Sequence, residues 1–253
     1  MKKLLIIAGV FATLSGASCK KDKTDPGPDN GATKLLKKVT KTEESKTTTY
    51  NLNYDANKRL VSVISSDQNE STTFSYDNAG NLTKLESIES HVKNQYTFTY
   101  NNNVPVSGTF KNWQLTAGEP DAIMEDDELT YTVTNDAVSK IHLKMKIEPA
   151  EMDFNLSYAN GNLTKIESDG QEAYKVTFTY GNKKPAFPRI SKYILDQAGF
   201  SLQFALKNEL LTSTYDFPGT ELDNTITNNY TYDASGYVLT SNDGSTELKM
   251  EYQ

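Results

Sequence analysis

A short segment that recurs through most of the chain constrains its fold more than any other feature. The clearest copy is FSYDNAGNLTKL, residues 74–85, in which an aromatic strand meets Asp77 and Gly80 and then continues into an apolar strand. Looser copies follow three other tyrosines, Tyr54, Tyr158 and Tyr232. The order of strand, tight turn and strand predicts a repeated β-hairpin.

The residues before each turn alternate aromatic with small polar side chains. Phe74 and Tyr76 share one parity, Thr73 and Ser75 share the other, and similar alternation occurs at residues 96–100, 154–158 and 174–180. Because successive side chains of a strand point to opposite faces, this pattern indicates strands that are buried on one face only.

The turn follows from an aspartate at its first position and a glycine at its fourth. The carboxylate accepts hydrogen bonds from nearby backbone amides, and glycine adopts the positive φ that closes the turn. In the first copy Lys58 takes the place of the glycine, which predicts a strained turn. The next apolar residues, such as Leu82 and Leu85, fall six and nine places after the tyrosine. This odd separation indicates either a β-bulge or a return strand that is apolar on both faces.

The copies recur at hairpin-sized intervals, 22 residues from Tyr54 to Tyr76 and 24 from Tyr76 to Tyr100. One such unit is too small to bury its own aromatic face, so neighbouring units must pack in series. The chain has 253 residues, of which 36% are hydrophobic, and this is enough for a large core. The prediction is an all-β fold over residues 35–253, an antiparallel β-meander of repeated hairpins that forms a curved sheet or a soluble barrel.

One segment, from Pro185 to Leu211, departs from the repeat. Ile190, Tyr193 and Ile194 have helical spacing, with Gly199 as a plausible stop, whereas residues 200–206 alternate as in a strand. We expect a small helical or apolar insertion that covers an open end or face of the sheet.

The N-terminus predicts export. Residues 1–14 are a basic start followed by an apolar run that is too short to span a bilayer, as in a signal peptide over residues 1–18. Small residues then lead into Cys19, the only cysteine, and resemble a lipoprotein signal, although Gly16 stands where that pattern prefers leucine. The resemblance implies cleavage before Cys19 and its lipidation with diacylglycerol and palmitate. The alternative is ordinary secretory cleavage that leaves a free thiol, but a lone exported cysteine has no disulfide partner.

Residues 19–34 are rich in proline, glycine and charge and predict a disordered tether. Charged tethers of this sort resemble those of Bacteroidetes-type outer-membrane lipoproteins. That resemblance implies a lipid anchor at Cys19 in the outer membrane, on a face that the sequence leaves open.

The Tyr-Asp-x-x-Gly-Asn-Leu units resemble the YD repeats of Rhs-type proteins. The whole chain is similar to uncharacterised Bacteroidetes lipoproteins whose soluble domain is a porin-like antiparallel β-meander. The resemblance implies the strand architecture and supplies no catalytic residues. A membrane barrel is the alternative, and charges on the return strands, such as Lys84 and Glu86, together with short runs, oppose it.

The densest acidic cluster, a weak metal candidate, comprises Glu125, Asp126, Asp127 and Glu128, with Glu119 and Asp121 nearby. Calcium favours several oxygen ligands, but no calcium-loop register is present, so a solvated loop is the favoured interpretation and no cofactor is expected. The two histidines, His91 and His142, lack metal-ligand spacing and are interpreted as surface residues. The net charge of −7 opposes a nucleic-acid partner.

Aromatic side chains could stack on sugar rings, although the strict alternation assigns most of them to the core. Trp113, Tyr193 and Tyr237 lie outside the regular pattern and are the candidate ligand platform. The expected function is a monomeric, lipid-anchored, non-catalytic binding or scaffold module of the cell envelope, with a polysaccharide or an envelope protein as partner. A hydrolase of envelope or dietary polymers and a purely structural envelope protein are the alternatives.

Overall fold

The computed structural model describes residues 34–169, 174–197 and 201–253. The predicted signal peptide, Cys19 and nearly all of the tether lie outside these residues, as do Gly199 and Phe200 of the insertion.

Seventeen strands make up almost all of the regular structure in these described ranges. The first nine are β1 (Leu36–Glu43), β2 (Lys46–Tyr54), β3 (Leu60–Ser65), β4 (Glu70–Tyr76), β5 (Leu82–Glu89), β6 (Val92–Asn101), β7 (Val104–Gln114), β8 (Ala122–Thr134) and β9 (Ala137–Met145). The others are β10 (Ala150–Ala159), β11 (Asn162–Ser168), β12 (Lys175–Tyr180), β13 (Leu210–Asp216), β14 (Asn224–Thr227), β15 (Asn229–Tyr232), β16 (Val238–Asn242) and β17 (Thr246–Tyr252).

With the exception of β14 and β15, each strand pairs antiparallel with its neighbours in sequence, and the last strand returns to the first, with Leu36 opposite Tyr252. Strands β14 and β15 lie on either side of Asn228; β14 pairs with β13 and β15 with β16. The sheet is therefore a nearly closed, barrel-like meander. The predicted all-β fold is confirmed, and the barrel is the form that it takes.

The bulge is the correct explanation of the odd apolar spacing. In the clearest repeat Ser75 lies opposite Lys84 but Tyr76 lies opposite Leu82, so Thr83 is an extra residue on the return strand. The extra residue brings Leu82 and Leu85 to the same face, and each is 1% exposed. Equivalent register shifts occur beside Tyr54, Tyr100, Tyr158, Tyr180 and Tyr232.

The buried face of every hairpin points into the barrel, and the insertion between β12 and β13 fills the interior. Its Leu195 carbonyl accepts a hydrogen bond of 2.7 Å from Tyr131, and its Phe204 ring meets Phe74 edge-on at 5.3 Å. The insertion is apolar, as predicted, but the helical spacing was misleading. Its one helix among the described residues is a single 3₁₀ turn, Leu202–Phe204, and residues 190–194 are irregular because they pack by contacts with the barrel wall.

The outer face is polar. Threonine pairs lie across neighbouring strands, as between Thr97 and Thr109 at 2.7 Å, and short ion pairs join Lys165 to Glu167 and Lys140 to Asp153. Within the described ranges, no helix has the length and apolar composition needed to cross a membrane.

Candidate functional site

The barrel has two ends that differ in chemistry. We call one the tyrosine end, because the repeat turns that follow the tyrosines lie there, at residues 55–59, 77–81, 101–103, 160–161 and 233–237. The opposite end, the far end, carries the connections at residues 66–69, 90–91, 115–121, 146–149 and 243–245. The insertion leaves and re-enters the sheet at the tyrosine end.

A ladder of tyrosine hydroxyls holds the tyrosine end together. Tyr76 donates to the carbonyl oxygen of Leu60 at 2.7 Å, and Tyr100 donates to that of Leu82 at 2.8 Å, so each repeat caps the first residue of the preceding return strand. Five other tyrosines donate in the same way to a carbonyl of the first or second residue of an earlier strand: Tyr54, Tyr158, Tyr180, Tyr230 and Tyr252. Burial raises the pKa of Tyr54 to about 12, so the hydroxyl remains a donor at physiological pH.

The repeat turns have the predicted geometry. The two carboxylate oxygens of Asp77 accept from the backbone and side-chain nitrogens of Asn81, each at 2.8 Å, and Gly80 has a φ of 87°. These bonds, the Asn81 side chain first, hold the pKa of Asp77 below its usual range. Lys58 has a φ of 62°, which confirms the strained turn predicted for the first repeat.

A cleft of about 250 Å³ opens at the tyrosine end between two repeat turns and the insertion. The turns contribute Asn81 and Asn103, the wall contributes Tyr100, and the insertion contributes Arg189 and the segment from Ile190 to Tyr193. The Asn81 amide nitrogen donates to the Asn103 side-chain oxygen at 2.9 Å and so joins the two turns across the floor of the cleft.

The two cationic side chains of this cleft, Lys192 and Arg189, have different partners. Lys192 is neutralised by Asp136 at 2.6 Å, and this ammonium holds the pKa of Asp136 below its usual range. Arg189 donates only to backbone carbonyls, those of Ser191 and Lys192, each at 3.2 Å. Within the described part of the chain, Arg189 has no carboxylate partner.

The acidic cluster is a strand rather than the solvated loop that the sequence predicted. Strand β8 begins at Ala122 and pairs with β7, so Glu125 and Asp127 point inward near the far end. Asp127 is 4% exposed, and burial, reinforced by Glu125 and Asp126, raises its pKa to about 6. Burial also raises the pKa of Glu125.

The other two acids of the cluster point outward and pair with lysines. Lys146 lies 2.9 Å from Glu128 and 3.6 Å from Asp126. Because the four acids face opposite sides of the sheet, they do not converge, and no group of three metal-ligating side chains is found in the described ranges. His142 lies on the outer face with Nδ1 2.9 Å from Asp153, and His91 is exposed, as expected of surface residues.

The three candidate platform residues are not brought together. Trp113 lies half-buried on the outer face near the far end, opposite Ile123, with the Lys93 ammonium 4.6 Å from its ring centroid. Tyr193 is 3% exposed in the cleft, and Tyr237 is 7% exposed against Tyr252. The exposure expected of these two tyrosines is therefore wrong, since the insertion and the chain ends cover them.

The residues that sequence reasoning missed are Arg189 and the inward pair, Glu125 and Asp127. Continuing the alternation of Leu129 and Tyr131 backward would have placed Asp127 on the buried face. No local signal marks Arg189, because its neighbours in the cleft come from turns about a hundred residues earlier in the chain.

Comparisons with known proteins agree with this architecture. The family model described as RHS Repeat matches residues 54–87, which confirms the repeat over that stretch. No curated protein matches the chain. Among solved structures, the chain is similar to a porin-like protein from Bacteroides vulgatus, with a TM-score of 0.56, 12% identity and coverage of 87% of this chain and 99% of that one. A porin-like protein from Bacteroides uniformis gives a TM-score of 0.51, 15% identity and coverage of 86% and 98%. These likenesses show the fold.

Proposed function

We propose that this protein is a lipid-anchored, non-catalytic module of the outer membrane that serves as a scaffold or binds a partner. The observation that carries the proposal is the arrangement of the wall, with polar side chains outside and a lumen filled by the chain's own insertion. A barrel that passes solutes would keep its lumen open, and one embedded in lipid would have an apolar outer band. Porin-like relatives with the same architecture support an envelope location.

The chain ends determine how such a module would be held. Leu35 pairs with Gln253, with backbone bonds of 3.1 Å and 2.9 Å, so both ends of the sheet lie at the tyrosine end. Cys19 precedes Lys34 by 15 residues, which span at most about 50 Å when extended. A lipid on Cys19 would therefore keep the tyrosine end near the membrane and direct the far end away from it.

The anchor is tested by replacing its attachment atom. Cys19→Ala is expected to move the protein from the membrane fraction to the soluble fraction and to abolish incorporation of radiolabelled palmitate. The matched control is Ser18→Ala, which leaves the thiol in place and should keep both. A Cys19→Ala protein that remains in membranes would contradict lipid anchoring.

The binding role is tested on an array of polysaccharides. Trp113 is the platform residue that stays half-exposed, and a stacked sugar contributes about 1 kcal/mol, so Trp113→Ala should weaken binding about five-fold. Binding that is unchanged by this substitution would remove Trp113 from the site. An array without any bound glycan would leave the scaffold role as the function.

A hydrolase is the second candidate, and the inward pair of β8 is the observation that favours it. A buried carboxyl with a raised pKa beside a second carboxyl on the same face is an arrangement that glycoside hydrolases use. Turnover of envelope or dietary glycans that is abolished by Asp127→Asn would replace the non-catalytic proposal. Turnover that survives this substitution would not be assigned to this pair.

A further inference from the structure

The cleft at the tyrosine end offers more hydrogen-bond donors than acceptors. An arginine carries five N–H donors, and Arg189 directs Nε and one Nη nitrogen to backbone carbonyls, leaving further donors available. The side-chain amide nitrogen of Asn103 adds further donors, because Asn81 bonds only to the side-chain oxygen of Asn103. The side-chain oxygen of Asn81 remains available as an acceptor at the floor of the cleft. The side-chain nitrogen of Asn81 makes the bonds to Asp77 and Asn103.

The distribution of charged side chains around the cleft also favours an anionic ligand. The Lys192–Asp136 pair is neutral as a unit, and Asp77, although it keeps its negative charge, directs both carboxylate oxygens into its own turn at Asn81. Among the described residues of the cleft, Arg189 at the rim is therefore the charged side chain without an oppositely charged partner. A guanidinium binds planar or tetrahedral oxyanions with two parallel hydrogen bonds, and a single charge is balanced by a single negative charge.

The size of the cleft limits the ligand. A volume of about 250 Å³ lies below the range of about 300–1,000 Å³ that is usual for drug-sized ligands, so the space suits one ring. The Tyr193 ring is buried, with the Lys192 ammonium 4.7 Å from its centroid. Recognition in this cleft would therefore depend on hydrogen bonds and charge rather than on stacking.

We propose that this cleft binds a single-ring ligand that carries one singly charged oxyanion, such as the carboxylate of a uronic acid, held by Arg189 and oriented by Asn81 and Asn103. The inference rests on the binding half of the proposed function and adds the ligand class and the site. A terminal acidic sugar of a polysaccharide has this chemistry, and so does a sugar that carries a sulfate monoester.

The test is isothermal titration of the full-length protein in detergent with methyl glucuronide, methyl glucoside, glucose 6-sulfate and glucose 6-phosphate. Methyl glucuronide or the sulfate should bind at least about ten-fold more tightly than the neutral glucoside, and the tighter of the two identifies the oxyanion. Arg189→Gln should reduce that affinity about ten-fold or more, because it removes a charged hydrogen bond. Arg189→Lys, which keeps the charge but not the two-pronged geometry, should fall between.

Lys249→Gln is the matched control, since it removes one positive charge from the outer wall, where Lys249 lies 3.6 Å from Glu247. It should leave the affinity unchanged. Equal binding of neutral and acidic sugars, tightest binding of the phosphate, or no binding by the wild type would overturn the proposal that the cleft binds a singly charged oxyanion. Glycan binding that depends on Trp113 but not on Arg189 would exclude the cleft as the binding site and leave the proposed binding role intact.

Discussion

Asp127 is a buried acid whose charge the fold does not accommodate. Its side chain points inward beside Phe110 and Met145 of the neighbouring strands, and in the described ranges it makes no hydrogen bond or ion pair. Replacing it with asparagine keeps the shape of the side chain and removes the charge. We therefore expect Asp127→Asn to stabilise the protein at neutral and alkaline pH.

The magnitude follows from the difference between the two pKa values of this group. Burial raises the pKa of Asp127 from 3.8 to about 6 in the folded protein. Each pKa unit corresponds to about 1.4 kcal/mol, so the ionised aspartate costs up to about 3 kcal/mol of unfolding free energy above pH 6. The raised pKa means that the folded state binds the proton more tightly. The contribution of Asp127 to the unfolding free energy of the wild type is therefore fully present below pH 3.8 and is lost as the pH rises through 6.

The assay is urea denaturation of both proteins, followed by circular dichroism from pH 4 to pH 8. The difference in unfolding free energy between Asp127→Asn and wild type should be about 0.5 kcal/mol at pH 4 and should approach about 3 kcal/mol at pH 8. Comparing the two proteins cancels the contributions of acids that do not interact with Asp127, which leaves those of Glu125 and Asp126.

Glu128→Gln is the control on the outer face of the same strand. Lys146 lowers the pKa of Glu128, so the fold favours its charged form and the substitution should give no stabilisation at pH 8. Destabilisation by Asp127→Asn at pH 8, or an equal effect at pH 4 and pH 8, would show that the buried charge of Asp127 does not destabilise the fold.

Three further substitutions test the packing, each by urea denaturation at pH 7. Tyr76→Phe removes the hydroxyl that caps the Leu60 carbonyl and should cost about 1 kcal/mol; a variant as stable as wild type would show that the ladder is not a stabilising feature. Gly108→Ala would place Cβ 2.7 Å from the Thr97 carbonyl oxygen and should cost at least about 1–3 kcal/mol, whereas Thr109→Ala on the outer face should cost less. Phe204→Ala removes the ring contacts of Phe204 with Phe74 and Phe187 and should lower the unfolding free energy by about 3–5 kcal/mol. A loss below about 1 kcal/mol would mean that the insertion does not stabilise the barrel wall.

Local pattern predicted the hairpin and its turn because the forces involved act within one repeat. The alternation around Tyr76 and the Asp77–Gly80 turn are short-range consequences of pleat and backbone conformation. The same pattern could not predict the ladder, because the hydroxyl of Tyr76 and the carbonyl of Leu60 meet only after neighbouring hairpins are in register.

The candidate sites were harder to predict because their members come from distant parts of the chain. The sequence pointed to Tyr193 and Tyr237 as exposed rings, but exposure depends on what packs above a side chain. The acids at residues 125–128 favour a solvated loop in the sequence, since a run of charged side chains without a calcium-loop register is usually solvated, and pairing with β7 outweighs that preference.

An antiparallel chain of bulged hairpins with one apolar face can be inferred from the residues alone, since a two-residue period and Asp/Gly turns are compatible with few other structures. The pairing of β17 with β1, the position of the insertion in the lumen and the meeting of Arg189 with Asn81 and Asn103 become visible only in the folded chain. The two groups of features differ in the sequence separation of the contacts that form them. Hairpin geometry is set by neighbours in sequence, whereas closure, filling and cleft formation depend on contacts between segments far apart in the chain, whose relative positions no local pattern encodes.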